Sequence, residues 1–312
     1  MSTLFGPVSS RRFGVSLGID LSTSHKQCNF DCLYCELAPA APITRQHVVT
    51  PVQTIITDLK NSLEKHPAID VITLTANGEP TLYPYLDELV EEIHRIKRGI
   101  RTLILTNSAT LTDPAVFHTL LKLDQVKLSL DAATPEVFKQ IDRPVEGISI
   151  TDIIDAIRHF SQIYTGKLFL EILFIKGVND SANEVKELNR ALLGIKCERI
   201  DIGTVDRPPA YDVKPLQFLE LYEIANRFDQ SLPIHIVSRT HAHSAQSSYS
   251  DEEILTTLDK RPLTSEDIDA LFDPDSKKRF HHLCHEGKIT GIERSNVLFF
   301  VPVQNIGRKR SK

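Results

Sequence analysis

The sequence predicts an α/β fold with a parallel sheet, followed by a small winged-helix-like region near the C-terminus. Between residues 15 and 237, segments with apolar residues at helical spacing alternate with short strand-like segments. Repeated alternation of this kind is typical of βαβ units, whose strands lie parallel. After Asp251 the alternation stops, and short helical patterns precede a hairpin pattern.

Hydrophobic periodicity and turn residues define the elements of the sheet region. The first helix has a typical start, because Thr50 could cap its first turn and Pro51 suits its first position. The predicted strands are 15–19, 69–75, 102–106, 126–130, 168–175, 200–205 and 234–237. The predicted helices are 51–63, 85–96, 113–123, 150–164, 181–192 and 215–228.

The C-terminal region resembles a winged helix. Its elements are predicted as helices 253–258, 264–271 and 277–285 and strands 289–292 and 297–301. Thr264 and Asp267 are spaced as in a capped helix start. From residue 275 onward there are nine Lys or Arg residues against three Asp or Glu residues, so contact with nucleic acid is one option. Contact with a protein and a purely structural role are the others. The predicted domains are a core (1–245), a winged-helix-like domain (246–306) and a basic tail (307–312).

Composition indicates a globular protein. The chain has 312 residues, 41% of them hydrophobic, 25% charged, and a net charge of -5, which argues against nucleic-acid binding over the whole surface. The first residues do not have the pattern of a signal peptide, and no apolar stretch approaches membrane-spanning length. Cysteines without disulfide partners require a reducing compartment. We therefore expect a cytoplasmic protein with no membrane contact.

Three of the five cysteines, Cys28, Cys32 and Cys35, fall within eight residues at CxxxCxxC spacing, far from Cys197 and Cys284. Iron–sulfur clusters usually take four cysteine ligands. Three thiolates on one loop can therefore bind three irons of a 4Fe-4S cluster and leave the fourth open to a small chelating ligand.

The three cysteines and several histidines also allow other interpretations. His25 could complete a zinc site with the three cysteines, although structural zinc ligands usually come from two separate knuckles. A disulfide framework is disfavoured by the odd cysteine count and the size of the chain. Weaker metal-site candidates are the histidine groups His241, His243 and His281, His282, His285.

The cysteine spacing, with the aromatic Tyr34 before the last cysteine, resembles the radical S-adenosylmethionine (SAM) superfamily. The resemblance implies a partial (β/α)6-type barrel, a 4Fe-4S cluster, and SAM bound at the open iron through its amine and carboxylate. It also implies an external electron donor of the flavodoxin or ferredoxin type. Cleavage of SAM would then yield methionine and a 5′-deoxyadenosyl radical that abstracts hydrogen from the substrate.

Further matches to this superfamily lie where predicted strands end, which is where parallel barrels carry function. The stretch ANGEPTL at 76–82 resembles the glycine-glycine-glutamate motif. This implies close backbone approach at Gly78 and a hydrogen bond from the SAM amine to Glu79; an exposed turn is the alternative. Ser129 and Asp131 are implied contacts of the SAM ribose or carboxylate. The other candidate SAM contacts are Tyr34, Asn107, Ile175 and Gly177.

The sequence indicates the substrate less specifically than the cofactors. The stretch GPVSSRR…SLGID before the cysteines resembles a branch that contains the wyosine-base (tRNA-modifying) synthases and bacterial relatives. Those synthases carry a second cluster on cysteines nearer the N-terminus, and no cysteine precedes Cys28 here. Arg11 and Arg12 in this stretch could face an anionic ligand, or they could be a solvated or salt-bridged pair. An RNA or protein substrate could contact the C-terminal domain. The alternatives are an activating enzyme for a glycyl-radical protein and an iron–sulfur or zinc regulator that binds DNA.

Overall fold

The computed structural model describes residues 3–10, 12–237, 246, 248–260, 262–294 and 297–303. One sheet contains eight strands in chain order: β1 (Leu4–Ser10), β2 (Gly14–Asp20), β3 (Val71–Thr75), β4 (Arg101–Thr106), β5 (Gln125–Ser129), β6 (Lys167–Phe174), β7 (Arg199–Thr204) and β8 (Ile234–Ile236). The β1–β2 pair is antiparallel, and every later pair is parallel. The predicted α/β class with a mostly parallel sheet is therefore confirmed.

The sheet is larger than the predicted six-unit core. Seven strands run parallel, and β1 adds an antiparallel strand at one edge. The sequence pattern missed β1 because Gly6 and Pro7 interrupt its alternation and because its register shifts between Phe5 and Val8. Within the described residues no pairing joins β1 to β8, so the sheet is open, as in a partial barrel.

Seven helices connect or follow these strands: α1 (Val52–Lys65), α2 (Leu86–Ile96), α3 (Pro114–Leu120), α4 (Pro135–Ile141), α5 (Ile150–Ile163), α6 (Ala182–Leu192) and α7 (Phe218–Ala225). The sequence pattern missed α4, which has only seven residues. The predicted Thr50 cap is wrong, because Pro51 occupies the cap position and no side chain caps the helix. No described helix is long and apolar enough to cross a bilayer.

The two faces of the sheet differ in chemistry. Successive strand residues point to opposite faces, and one set, including Ile72 and Leu74, packs with the helices in the main hydrophobic core. The opposite face, here called the lumen face, carries polar side chains such as Thr73 and Lys127. It lines a cavity of about 250 Å³ together with the β1–β2 turn. The lumen face thus offers space and hydrogen-bonding groups beside the sheet.

An ionic layer crosses the lumen face. Arg12, in the β1–β2 turn, donates from Nη1 to Glu171 Oε1 at 2.8 Å and to Asp201 Oδ2 at 2.9 Å. Lys127 also pairs with Glu171. Of the two sequence interpretations of the arginine pair, salt bridging is confirmed for Arg12, while Arg11 lies outside the described residues. The layer ties the β1–β2 turn to β6 and β7.

The C-terminal elements are α8 (Asp251–Lys260), α9 (Ser265–Leu271), α10 (Pro274–His285), β9 (Ile289–Arg294) and β10 (Val297–Pro302). The capping box of Thr264 and Asp267 is confirmed. The helices share a hydrophobic core with Val8 of β1, and the Tyr249 hydroxyl donates to the Pro7 carbonyl. The three helices and the hairpin are present, whereas the winged-helix assignment stays a prediction. His241, His243 and the basic tail lie outside the described residues.

Candidate functional site

The three clustered cysteines lie on an irregular segment that follows β2. Their thiols are free and half-buried, and Cys28 and Cys32 pack against the main core. The Cys35 amide donates to the Cys32 carbonyl at 3.1 Å. Backbone contacts hold this cysteine loop (residues 26–36) against the segments that follow β3 and β5. The cysteine loop therefore lies beside the carboxyl ends of parallel strands, where it contacts Asn107 after β4 and Asp131 after β5.

The surroundings of the thiols disfavour thiolates in the absence of a cation. Burial, followed by the charge of Glu79, raises the pKa of Cys28 to about 12. Burial also raises the pKa of Cys32 and of Cys35. A coordinated metal deprotonates a thiol outright, so metal ligation would overcome this cost.

The donor set consists of three thiols on one loop, and a 4Fe-4S cluster could take one thiolate at each of three irons. Among the described residues, no three His, Cys, Asp or Glu side chains are arranged to hold a single metal ion. His25, the fourth ligand of the zinc alternative, is exposed and shares a hydrogen bond with Ser24.

Gly78 allows the loop after β3 to pass directly beside the cysteine loop. Its φ is +134°, and a Cβ here would lie 2.0 Å from the Gln27 carbonyl oxygen. On either side, the Gln27 amide donates to the Asn77 carbonyl at 2.9 Å and the Glu79 amide donates to the Gln27 carbonyl at 3.0 Å. The close backbone approach predicted at Gly78 is therefore to the segment that leads into Cys28.

The Glu79 carboxylate is a buried anchor, not an exposed turn residue, so that alternative is wrong. Glu79 is 2% exposed, and this burial raises the pKa of its carboxyl group. Oε1 accepts from the Thr81 amide at 3.0 Å and from the hydroxyls of Thr81 and Thr106, both at 2.6 Å. Oε2 accepts from the Asn107 amide at 2.8 Å. Because a carboxylate offers about four lone-pair sites, Oε2 has capacity for one more donor.

Asn107 links this anchor to the cysteines. Its Nδ2 donates to Asn29 Oδ1 at 2.6 Å and lies 3.8 Å from Cys28 Sγ. Ser129, at the end of β5, accepts at its carbonyl from the Ser108 hydroxyl at 2.7 Å. Asn107, Ser129 and Asp131 all line a small cavity of about 10 Å³ beside the cysteine loop. Three predicted contacts therefore lie together.

Tyr34 and Asp131, predicted separately, contact each other. The Tyr34 hydroxyl donates to Asp131 Oδ2 at 2.6 Å, and the Leu173 amide donates to Oδ1 at 2.7 Å. Burial raises the pKa of Asp131 to about 7. Both carboxylate oxygens thus serve the protein's own donors, and the Tyr34 ring is fixed across the end of β5.

The turn after β6 carries the last two candidates. Asn179 donates to the Asp131 carbonyl at 2.8 Å and accepts from the Ile175 amide at 2.8 Å, which places the turn beside Asp131. The Ile175 side chain is buried in the main core. Gly177 has φ +76°, and a Cβ built on it would have no neighbour within 4 Å. The backbone at Gly177 is therefore accessible, whereas the side chain of the other candidate SAM contact, Ile175, faces the core.

Two further loops, one at Asp142 after α4 and one at Ala210 after β7, contact the cysteine loop. The Asp31 amide donates to the Asp142 carbonyl at 3.0 Å, and Cys32 Sγ lies 3.4 Å from Asp142 Oδ1. The Ala210 amide donates to the Cys35 carbonyl at 2.8 Å. These contacts join residues more than a hundred positions apart. Their only sequence signal was that both loops follow predicted strands.

The chain is similar in sequence to a known superfamily and to several known proteins. The model of the radical SAM superfamily matches residues 23–188. A UPF0026 protein of Helicobacter pylori strain J99 is 42% identical over 289 residues, which cover 92% of this chain and 93% of that protein. A GTP 3',8-cyclase of Limosilactobacillus fermentum is 29% identical over 49% of this chain and 45% of its own.

A solved structure shares the fold. It is a radical SAM methyltransferase from Sphaerobacter thermophilus, with a TM-score of 0.56 and 17% sequence identity. The match covers 72% of this chain and 67% of that chain. At this identity the likeness concerns the fold alone.

Proposed function

Since the chain belongs to the radical SAM superfamily, within which it groups with the UPF0026 proteins, we propose that it is an enzyme that cleaves SAM reductively at a 4Fe-4S cluster. Cys28, Cys32 and Cys35 would bind the cluster. When bound, the cluster and SAM supply a 5′-deoxyadenosyl radical for hydrogen abstraction. The remaining work of binding and orientation belongs to this chain's own residues.

One observation carries the proposal: a hydrogen-bonded path links Glu79 to the cysteines. The Asn107 amide donates to Glu79, and its side chain lies 3.8 Å from Cys28 Sγ. A buried carboxylate with an available lone pair is thereby fixed near the thiols. A ligand that binds the open iron of the cluster would therefore have its amine within reach of the Glu79 carboxylate.

The other candidate residues lie at the neighbouring strand ends and are held in place by hydrogen bonds. Tyr34 and Asp131 hold each other by a hydrogen bond, and Asn179 joins Asp131 to the Gly177 turn. Site residues held by neighbours preserve their geometry without reorganisation at the moment of reaction. We propose that SAM lies across these strand ends, from Glu79 to Gly177.

The substrate of the proposed enzyme would enter the cavity on the lumen face. The cavity is bounded by Leu37, two residues after Cys35, and by Asn77, next to Gly78. It extends from there to Arg12 and Lys127. Its volume of about 250 Å³ lies just below the lower end of the usual range for small-molecule pockets.

The experiment is a SAM titration of the anaerobically reconstituted, dithionite-reduced protein, followed by electron paramagnetic resonance (EPR). We expect SAM to change the EPR signal, because it ligates an iron. Glu79→Ala should raise the SAM dissociation constant about tenfold or more, since a hydrogen bond to a charged group contributes about 1.5–3 kcal/mol. Glu64→Ala, an exposed glutamate on α1, is the matched control.

If SAM leaves the EPR signal of the reduced wild-type cluster unchanged, the proposed function is wrong. Unchanged SAM affinity in Glu79→Ala would remove Glu79 from the site. Should that variant fail to take up the cluster, Glu79→Gln retains the side-chain volume and serves for the same titration.

A further inference from the structure

A buried ion pair lies inside the cysteine loop. Lys26, two residues before Cys28, places Nζ 2.6 Å from Oδ1 of Asp31, which lies between Cys28 and Cys32 in the chain. Both side chains are only 6% exposed. Charges removed from water in this way are screened weakly, so they act on nearby groups more strongly than surface charges do.

A second cation reaches the same carboxylate from another part of the chain. Arg143 Nη2 lies 2.8 Å from Asp31 Oδ2, and the Tyr211 hydroxyl also donates to Oδ2. The Arg143 guanidinium stacks over the Tyr211 ring at 4.3 Å. Two positive charges and one negative charge therefore meet at Asp31, so this group of three side chains carries a net positive charge.

The thiols stand on the same loop as this group. Lys26 is two residues from Cys28, and Asp31 is the residue directly before Cys32. Because the Lys26–Asp31 pair is buried, its charges act on neighbouring groups with little screening by water.

We propose that Lys26, Asp31 and Arg143 are positioning residues that set the reduction potential of the cluster through their charges. The inference rests on the proposed function, because it requires a cluster at the three cysteines. Each electron added to a cluster with three thiolates makes the assembly one charge more negative. A nearby cation stabilises the reduced form and raises the potential, whereas an anion lowers it.

A purely structural role makes different predictions. Asp31 also fastens the cysteine loop to the segments that carry Arg143 and Tyr211, so its removal could loosen the loop. Loosening would lower cluster content or stability whichever charge is removed. A charge effect instead changes sign with the sign of the removed charge, and it cancels when both members of the ion pair are removed.

The test is a redox titration of the reconstituted holoprotein by EPR, with iron content and thermal unfolding measured in parallel. Lys26→Met should lower the midpoint potential and Asp31→Asn should raise it. Each shift should reach about a tenfold change in the ratio of reduced to oxidised cluster at fixed potential, about 59 mV for one electron. The Lys26→Met/Asp31→Asn double variant should return close to the wild-type potential.

Two further variants complete the design. Arg143→Met should lower the potential less than Lys26→Met, because Arg143 is 37% exposed and water screens its charge. Tyr211→Phe removes a hydrogen bond to Asp31 but no charge, and it is the matched control for loosening. If Lys26→Met does not take up the cluster, Asp31→Asn and Arg143→Met still test opposite signs.

A wild-type protein that forms no cluster on reconstitution would overturn the proposed function itself. A cluster whose potential shifts in the same direction in Lys26→Met and Asp31→Asn, or in neither, would overturn the electrostatic role and leave the cluster assignment intact.

Discussion

Replacing Cys32 with alanine is expected to abolish cluster binding. Three cysteines are the fewest that could hold three irons of the cluster, and Cys32 is the middle ligand of a loop packed between Asp142 and the main core. Iron content after anaerobic reconstitution should fall from about four per chain to near background. The visible absorption of the cluster should disappear with it.

Cys197→Ala is the matched control for this variant. Cys197 is also half-buried and packs against the main core, but it lies just before β7 and outside the cysteine loop. It should keep full iron content. A Cys32→Ala protein that retains the cluster, or a Cys197→Ala protein that loses it, would contradict the ligand assignment.

Replacing Glu171 with glutamine is expected to lower the free energy of unfolding by up to about 3–5 kcal/mol at neutral pH, because it removes the partner of a buried lysine, while Glu171 itself is 30% exposed. Lys127 is 5% exposed and pairs with Glu171, and Arg12 donates to the same carboxylate oxygen. The variant leaves the Lys127 ammonium buried without its carboxylate. Urea unfolding followed by circular dichroism measures the change.

The stability difference between wild type and Glu171→Gln should depend on pH. Burial acts to raise the pKa of Glu171, but Lys127 and Arg12 together lower it to about 2. A carboxylate whose pKa is lowered on folding stabilises the native state above its ordinary pKa, and this contribution is lost as the pH falls towards the folded value. The stability difference between wild type and Glu171→Gln should therefore shrink between about pH 4.5 and pH 2.

Two further variants test whether the broken ion pair accounts for the loss of stability in Glu171→Gln. Glu198→Gln breaks an exposed pair with Lys167 at 3.9 Å and should cost less than about 1 kcal/mol. Lys127→Met combined with Glu171→Gln should recover part of the lost stability, since it removes the orphaned charge. A cost below about 1 kcal/mol for Glu171→Gln alone would show that the ionic layer does not stabilise the fold.

The sequence was informative where the signal is local. Period-two and helical spacing located all seven parallel strands because each strand buries one face against helices. The pattern failed at β1, where Gly6 and Pro7 interrupt the alternation, and at α4, which spans under two full turns. Short or interrupted elements owe their structure to packing, which a local window does not contain.

The site residues show the same difference between local signals and contacts made only on folding. Cys28, Cys32 and Cys35 stand on one loop, so their spacing alone grouped them. Asp142 lies 110 positions from the cysteine that it contacts, and only the folded chain brings the two together.

Glu79 illustrates the limit of reasoning from motifs. Its stretch resembled a known motif, but no motif indicates that four donors from the protein itself would surround the carboxylate. Those donors come from Thr81, Thr106 and Asn107, the last two at the end of the neighbouring strand β4. The anchoring therefore depends on strand order, which sequence alone did not establish.

The most direct measurement is 5′-deoxyadenosine formation by the anaerobically reconstituted protein supplied with SAM and dithionite, assayed by liquid chromatography and mass spectrometry. The proposed function predicts that 5′-deoxyadenosine and methionine form in equal amounts, and that Cys32→Ala forms neither. A wild-type protein that carries a full cluster and binds SAM but never yields 5′-deoxyadenosine would contradict reductive SAM cleavage.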